Sequence, residues 1–151
     1  MTTNATSGDG PGVAKRMGLK PSMAVMEIGY GDDVDAPLRD LIEEHTEGEL
    51  LDEDSDEVVD VVLLWYREDD GDLVDTLVDS IGPLADDGVI WLLTPKRGRA
   101  GYVEPSDISE AAPTAGLSQT SLLPLSADWT GARLVSRRAK AGVERGKGER
   151  R

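Results

Sequence analysis

The chain has 151 residues, a length that suits one domain, and because phenylalanine is absent its core must come mainly from valine, leucine and isoleucine. The absence of cysteine excludes disulfides, thiolate zinc sites and cysteine nucleophiles, and the single histidine, His45, leaves no serine–histidine triad. The formal net charge is −14, yet residues 133–151 contain eight basic and only two acidic side chains.

This charge distribution predicts an acidic body with a basic tail. Residues 1–132 contain eight basic and 28 acidic side chains, so the body repels phosphate backbones and anionic lipids, and we expect it to bind neither nucleic acid nor membranes. An unknown protein partner is expected to contact the tail or Trp129, and the alternative for Trp129 is that its indole packs over the edge of the sheet. No apolar run approaches the ~20 residues that span a bilayer, and residues 1–12 lack the hydrophobic segment of a secretory signal, so we expect a cytoplasmic protein.

Three segments follow from the order of the residues. Residues 1–12 are rich in threonine, serine and glycine and predict a disordered leader, residues 13–138 predict a single α/β domain, and residues 139–151 predict a disordered basic tail. Within the domain, residues 13–19 suit one or two helical turns.

The first half of the domain predicts a strand, a helix and an acidic loop. Residues 23–28 are a short apolar run that Gly29 ends, which is typical of a buried strand. Asp35 is placed to cap a helix that Gly48 should end. His45 ends the apolar stripe of this helix and is interpreted as a packing residue, and we expect no metal site. Residues 47–57 contain seven acids and predict a loop or an edge strand.

The second half begins with the continuous β-branched and aromatic run of residues 58–66, which predicts a central strand buried on both faces of a parallel sheet. An apolar stripe predicts a helix over residues 73–81, after which residues 84–88 should close the helix and turn into a buried strand at 89–93.

The end of the domain predicts a basic loop, a helix and a hairpin. Residues 94–101 form the loop, Ser106 should cap the helix, and Gly116 should follow its end. Two strands at 119–126 and 132–136 should then pair through a turn at 128–131. Taken together, the pattern predicts a shortened Rossmann-like, mostly parallel sheet with helices on both faces and a C-terminal antiparallel β-hairpin.

A candidate ligand rim follows from this arrangement, because ligands of open α/β sheets bind beyond the carboxyl ends of the strands. Gly29 and Gly31 permit a positive φ and a close approach of backbone, and the next helix points its amides at the turn. The acids that follow the turn are expected to cap this helix and to disfavour a phosphate, and they also allow a structural ion pair with a nearby base. The candidate residues are Glu27, Gly29, Tyr30, Gly31, Asp32, Asp33, Tyr66, Arg67, Glu68, Thr94, Lys96 and Arg97.

The glycine turn, Glu-Ile-Gly-Tyr-Gly at 27–31 after an apolar strand, resembles the first strand and turn of class I S-adenosylmethionine-dependent methyltransferases. The terminal hairpin agrees with that family. The body is also similar to a family of small acidic actinobacterial proteins known as domain of unknown function 3052, through Glu-Ile-Gly-Tyr at 27–30 and Trp-Leu-Leu-Thr-Pro-Lys at 91–96. This second resemblance implies no activity.

The resemblance is incomplete in two respects. Asp33 stands where the third glycine of such a turn would be, and only 26 residues separate Gly31 from Val58, where a full methyltransferase has two further strands that build the adenosine pocket. We therefore expect a non-catalytic interaction or regulatory module with no catalytic residues and no cofactor. The alternative is an S-adenosylmethionine-binding protein or methyltransferase that uses the turn at 29–31.

Overall fold

The computed structural model describes residues 12–136. Gly12 already belongs to the first helix, and the rest of the predicted leader and the whole predicted tail at 139–151 lie outside the described residues. The helices are α1 (Gly12–Arg16), α2 (Ala36–Thr46), α3 (Leu73–Ile81) and α4 (Pro105–Thr114), and the strands are β1 (Val25–Ile28), β2 (Val59–Trp65), β3 (Leu84–Pro95), β4 (Leu117–Pro124) and β5 (Trp129–Ser136).

The five strands form one sheet in the order β1-β2-β3-β5-β4. β1, β2 and β3 pair in parallel, β5 is antiparallel to both β3 and β4, and β4 therefore runs with the first three strands. The predicted mostly parallel sheet with a C-terminal antiparallel hairpin is confirmed. β3 lies at the centre, so the prediction that residues 58–66 are the central strand was wrong, although β2 is buried on both faces.

Two hydrophobic clusters cover the two faces of the sheet. On one face α1, the turn after it and α2 contribute Val13, Met17, Leu38 and Ile42, which pack around Trp65 and Trp91. On the other face α3 and α4 contribute Leu77 and Ile108, which pack around Leu64 and Leu92. Alternation along β2 and β3 sends neighbouring side chains to opposite faces, which is why both strands read as continuous apolar runs. Helices on both faces are thus confirmed.

The predicted hairpin turn at 128–131 was wrong. β4 and β5 begin at Leu117 and Trp129, and residues 129–131 already pair with β3, so the two strands connect through residues 125–128.

Three other element boundaries differ from the prediction. α2 ends at Thr46 because Glu47 takes the left-handed conformation expected one residue later at Gly48. β3 already begins at Leu84, which pairs with Val59, and the residues before Val89 form an irregularity in the strand instead of a turn. α4 begins at Pro105, and its cap position is Glu104 with no side-chain cap bond, so the predicted Ser106 cap was wrong.

No helix among residues 12–136 is long and apolar enough to cross a membrane.

β1 lies at one edge of the sheet, where Leu51 covers it: the Leu51 N–H donates to the Val25 carbonyl at 2.9 Å, and the Leu51 carbonyl accepts from the Glu27 N–H at 2.8 Å. The predicted acidic segment at 47–57 therefore contributes one isolated bridge to the sheet edge.

Candidate functional site

Arg67 connects the two loops that follow β1 and β2. Its guanidinium donates to the Gly29 carbonyl at 2.7 Å, to Asp33 through Nε at 3.0 Å and through the second amino group, and to Asp70 at 3.2 Å. Its side chain is 15% exposed, compared with 48% for Asp33. Of the interpretations that the sequence left open, the structure shows an ion pair between Arg67 and Asp33.

The neighbouring charges shift the pKa of both partners. The hydrogen bond from Arg67 lowers the pKa of Asp33, and burial opposes that shift. The hydrogen bond to Asp33 likewise raises the pKa of Arg67. Both groups are therefore charged across the physiological range, and the positive charge in front of the glycine turn is neutralised by the protein itself.

Gly29 is required by packing inside the sheet. It has a φ of +83°, and a Cβ placed on it would overlap the backbone carbonyl oxygen of Trp65 on β2. Gly31 does not have a positive φ, contrary to expectation, and a Cβ there would face the Arg67 guanidinium at 3.1 Å. One glycine therefore lets β1 approach β2, and the other leaves room for the arginine.

The acids directly after the glycine turn do not cap the following helix as the sequence suggested. Asp35 alone caps α2, with its carboxylate accepting from the Leu38 N–H at 2.8 Å, so Asp32 and Asp33 do not cap the helix as expected. Glu53 from the acidic loop accepts from the Gly29 N–H at 3.5 Å. Protein groups thus approach the turn from both the acidic loop and the loop after β2.

Glu27 lies beneath the turn and is 7% exposed. Its carboxylate accepts two hydrogen bonds from Arg39 of α2, at 2.6 and 2.8 Å, and a third from the indole N–H of Trp65 at 2.9 Å. Arg39 also lies 4.9 Å from the ring centroid of Tyr30, whose side chain is 61% exposed. Glu27 is therefore a buried, fully paired carboxylate that ties α2 to β2.

Trp129 completes the cluster, and the structure decides between the two alternatives for this residue. It is the first residue of β5, is 3% exposed, and packs edge-on against Trp65 with 4.8 Å between ring centroids. Its indole N–H donates to the Asp33 carbonyl at 3.2 Å, and the Arg67 guanidinium lies 5.4 Å from its ring. Trp129 is a packing residue and not an exposed anchor.

The remaining predicted rim residues separate from this cluster. The Tyr66 hydroxyl donates to the Gly71 carbonyl, and burial raises its pKa, with nearby acids contributing, while Glu68 is exposed. Thr94, Lys96 and Arg97 line a different cavity, beside α4. The predicted rim residues therefore fall into two groups. One lies at the glycine turn and contains Glu27, Gly29, Gly31, Asp33 and Arg67, and the other lies on the opposite face and contains Thr94, Lys96 and Arg97.

Sequence reasoning missed Arg39 and Gly101. No local sequence pattern identifies Arg39 as part of the cluster, because its partner Glu27 lies on another element. Gly101 has a φ of +85°, and a Cβ there would be 2.9 Å from the Arg67 Cβ, so it admits the arginine from the other side. His45 accords with its predicted packing role, with Nε2 2.8 Å from the Leu19 carbonyl, and no group of three potential metal ligands occurs within residues 12–136.

The sheet order and the glycine bend define the chain as an α/β protein with a methyltransferase-like sheet. A SAM dependent methyltransferase from Aquifex aeolicus superimposes with a TM-score of 0.53 and 14% identity, over 84% of this chain and 94% of that one. An O-methyltransferase (NcsB1) from neocarzinostatin biosynthesis, crystallised with S-adenosyl-L-homocysteine, gives a TM-score of 0.59 and 12% identity, over 76% of this chain and 49% of that one. These identities establish the fold alone.

The chain belongs to the family described as "Protein of unknown function (DUF3052)", whose model matches residues 14–138. An uncharacterized protein of Mycobacterium tuberculosis (strain ATCC 25618 / H37Rv) and another of Mycobacterium bovis are each 55% identical over 129 residues, which covers 85% of this chain and 81% of the relative. Both resemblances expected from the sequence are therefore confirmed.

Proposed function

We propose that this protein is a non-catalytic interaction or regulatory module on a methyltransferase-like sheet. The observation that supports this most directly is the position of Arg67, whose guanidinium binds the Gly29 carbonyl and Asp33. In a nucleotide-binding turn, this space and the nearby amides receive the ligand. Here a side chain of the protein lies in front of the turn.

The edge of the sheet supports the same proposal. β1 is the last strand on its side, and Leu51 is the single bridge beyond it among residues 12–136. A wall that encloses an adenosine would have to rise from further strands and their loops at this edge. Residues 52–57 instead form a short exposed acidic loop, whose Glu53 approaches the turn.

The chemistry of these groups also fits poorly with a cosubstrate. Glu27 already accepts three hydrogen bonds from Arg39 and Trp65, so it has little capacity left for a ligand hydroxyl or ammonium. Binding S-adenosylmethionine at the turn would require breaking the Arg67 contacts and leaving Asp33 without its partner. The residues present therefore do not fit the cosubstrate, and we derive no methyl-transfer step.

A titration of thermal stability with S-adenosylmethionine tests this proposal. A ligand that binds only the folded state raises stability by ~2.7 kcal/mol at 100 times its Kd. We expect no rise in Tm at about 1 mM S-adenosylmethionine or S-adenosylhomocysteine, while a catalytically active methyltransferase in the same assay shifts clearly.

A rise in Tm that saturates with S-adenosylmethionine, together with amide NMR shifts at Gly29 and Gly31, would contradict the proposal and favour the alternative of a cosubstrate-binding protein. The control variant is Arg97→Met, which removes a cation outside the Arg67 cluster and should leave any such rise in Tm unchanged.

A further inference from the structure

A cavity of about 420 Å³ opens on the face of the sheet opposite the Arg67 cluster. It lies between the carboxyl end of β3, the start of α4 and the strands β4 and β5. Its apolar walls include Tyr102, Val103, Ile108 and Leu122. Val103 and Ile108 belong to the hydrophobic cluster of α3 and α4, whereas Trp65 and Trp129 beside Arg67 belong to the other.

Thr94 contributes a buried polar group to this cavity. The residue is 4% exposed, lies one position before the end of β3, and its hydroxyl has no hydrogen-bond partner among residues 12–136. A buried hydroxyl without a partner is destabilising, and structures that retain one commonly satisfy it with water or a ligand. The Thr94 hydroxyl is therefore available to a polar group that enters from the cavity.

The mouth of the cavity carries two cations. Neither Lys96 nor Arg97 forms an ion pair with a carboxylate among residues 12–136. Within this range both stay unpaired although the chain has many more acidic than basic side chains. Arg97 lies 5.2 Å from the ring centroid of Tyr102, which orients its guanidinium over an aromatic wall. Lys96 lies two residues beyond Thr94, directly after the end of β3, and is half-buried.

The start of α4 adds a positive potential at the cavity, which two nearby carboxylates reduce. Pro105 and Ser109 of this helix line the cavity, and Glu104 at the cap position makes no side-chain cap bond. Asp107 follows in the first turn and Glu104 is exposed beside it. These acids limit the positive potential, which disfavours polyanions and favours a ligand with a single negative charge.

We propose that this cavity binds a small organic acid with an apolar body. The carboxylate lies near Lys96 and the Thr94 hydroxyl, and the body packs against Ile108 and Leu122. The volume falls within the range of small-molecule sites, and mostly apolar walls with a few placed polar groups are their usual composition. This site is separate from the glycine turn, so it goes beyond the proposed function and is independent of it.

The probe for this site is 4-tert-butylbenzoate, with the neutral 4-tert-butylbenzamide as its matched control. We expect the acid to shift the amide NMR signals of Thr94, Val103 and Thr130 and to leave those of Gly29 and Gly31 unchanged. Because the carboxylate contacts Lys96, the amide should bind about tenfold more weakly.

Two variants of the full chain sharpen the test. Lys96→Met should weaken binding of the acid by about tenfold while Lys20→Met, which removes an exposed lysine elsewhere, has no effect. Thr94→Val should weaken binding a few-fold and raise the Tm of the free protein, because it replaces the unpaired hydroxyl by a methyl group. The gain in Tm shows that the variant is folded.

Three results would overturn the inference: no shift up to about 10 mM acid, equal binding of acid and amide, or unchanged affinity in Lys96→Met. Each leaves the proposed function standing, because that proposal is decided at the glycine turn with S-adenosylmethionine.

Discussion

Gly29 and Gly18 form a natural pair for measuring what the glycine turn contributes. Both have a φ of +83°, but a Cβ on Gly18 meets nothing within 4 Å, whereas one on Gly29 overlaps the Trp65 carbonyl oxygen. We expect Gly18→Ala to cost ~1 kcal/mol and Gly29→Ala to cost ~3 kcal/mol or more in urea unfolding, because only the second adds overlap to backbone strain. Equal costs would show that the packing against β2 is not limiting.

The ion pair between Arg67 and Asp33 predicts a dependence of stability on pH. The pKa of Asp33 is lowered in the folded protein, so its contribution is present above the unfolded pKa of about 4 and is lost as the pH falls through the folded value. Because Asp33 is about half exposed, Asp33→Asn should cost only ~0.5–1 kcal/mol at pH 7.

The difference between wild type and Asp33→Asn should vanish at low pH, where both side chains are neutral, and urea unfolding between pH 7 and about pH 2.5 measures this. The neighbouring Asp32→Asn is the matched control, since Asp32 is exposed and outside the Arg67 contacts. A difference that persists at the lowest pH would argue against the ion pair.

At the scale of elements, the starts of α3 and α4 differ in how they are capped. Asp72 caps α3 by accepting from the Asp75 N–H at 3.1 Å. Ser106 lies inside the first turn of α4, because Pro105 fixes the first helical position and favours extended backbone at Glu104. The sequence signal of a serine before a helix was therefore outweighed by the proline.

Caps of this kind have a measurable energy. We expect Asp72→Ala to lower stability by ~1 kcal/mol, because an amide of α3 loses its acceptor, and Ser106→Ala to change stability by less than ~0.5 kcal/mol. The Tm of each variant by circular dichroism measures this. A cost for Ser106→Ala as large as that for Asp72→Ala would restore the cap assignment made from the sequence.

At the scale of the whole molecule, the net charge of −14 predicts self-repulsion in the folded state. Sodium chloride raised from 10 mM to about 0.5 M should increase the Tm by several degrees, because salt screens repulsion between acids. The double variant Asp86→Asn/Asp87→Asn, which removes an exposed acidic pair on β3, should show a higher Tm at low salt and a smaller salt response. A Tm that falls with salt would indicate that attractive pairs dominate.

The basic tail as a contact for a partner stays a prediction.

The sequence by itself determined the elements and the α/β class. Apolar runs on β2 and β3, an apolar stripe on α3 and the Asp35 cap are local patterns, and each reports the burial of its own segment. The glycine turn after β1 was found in the same way. The extent of β3 was missed because residues 85–88 contain acids and a glycine, yet pair irregularly beside β2.

Only the tertiary structure decided what the turn contacts and how the rim divides. Arg67 reaches Asp33 across 34 residues, and the Trp129 indole reaches the Asp33 carbonyl across 96. Such contacts depend on strand order and on the face to which each side chain points, and a one-residue change of register would reverse that face. For the same reason Thr94 and Lys96, which the sequence placed beside the glycine turn, lie with α4 on the other side of the sheet.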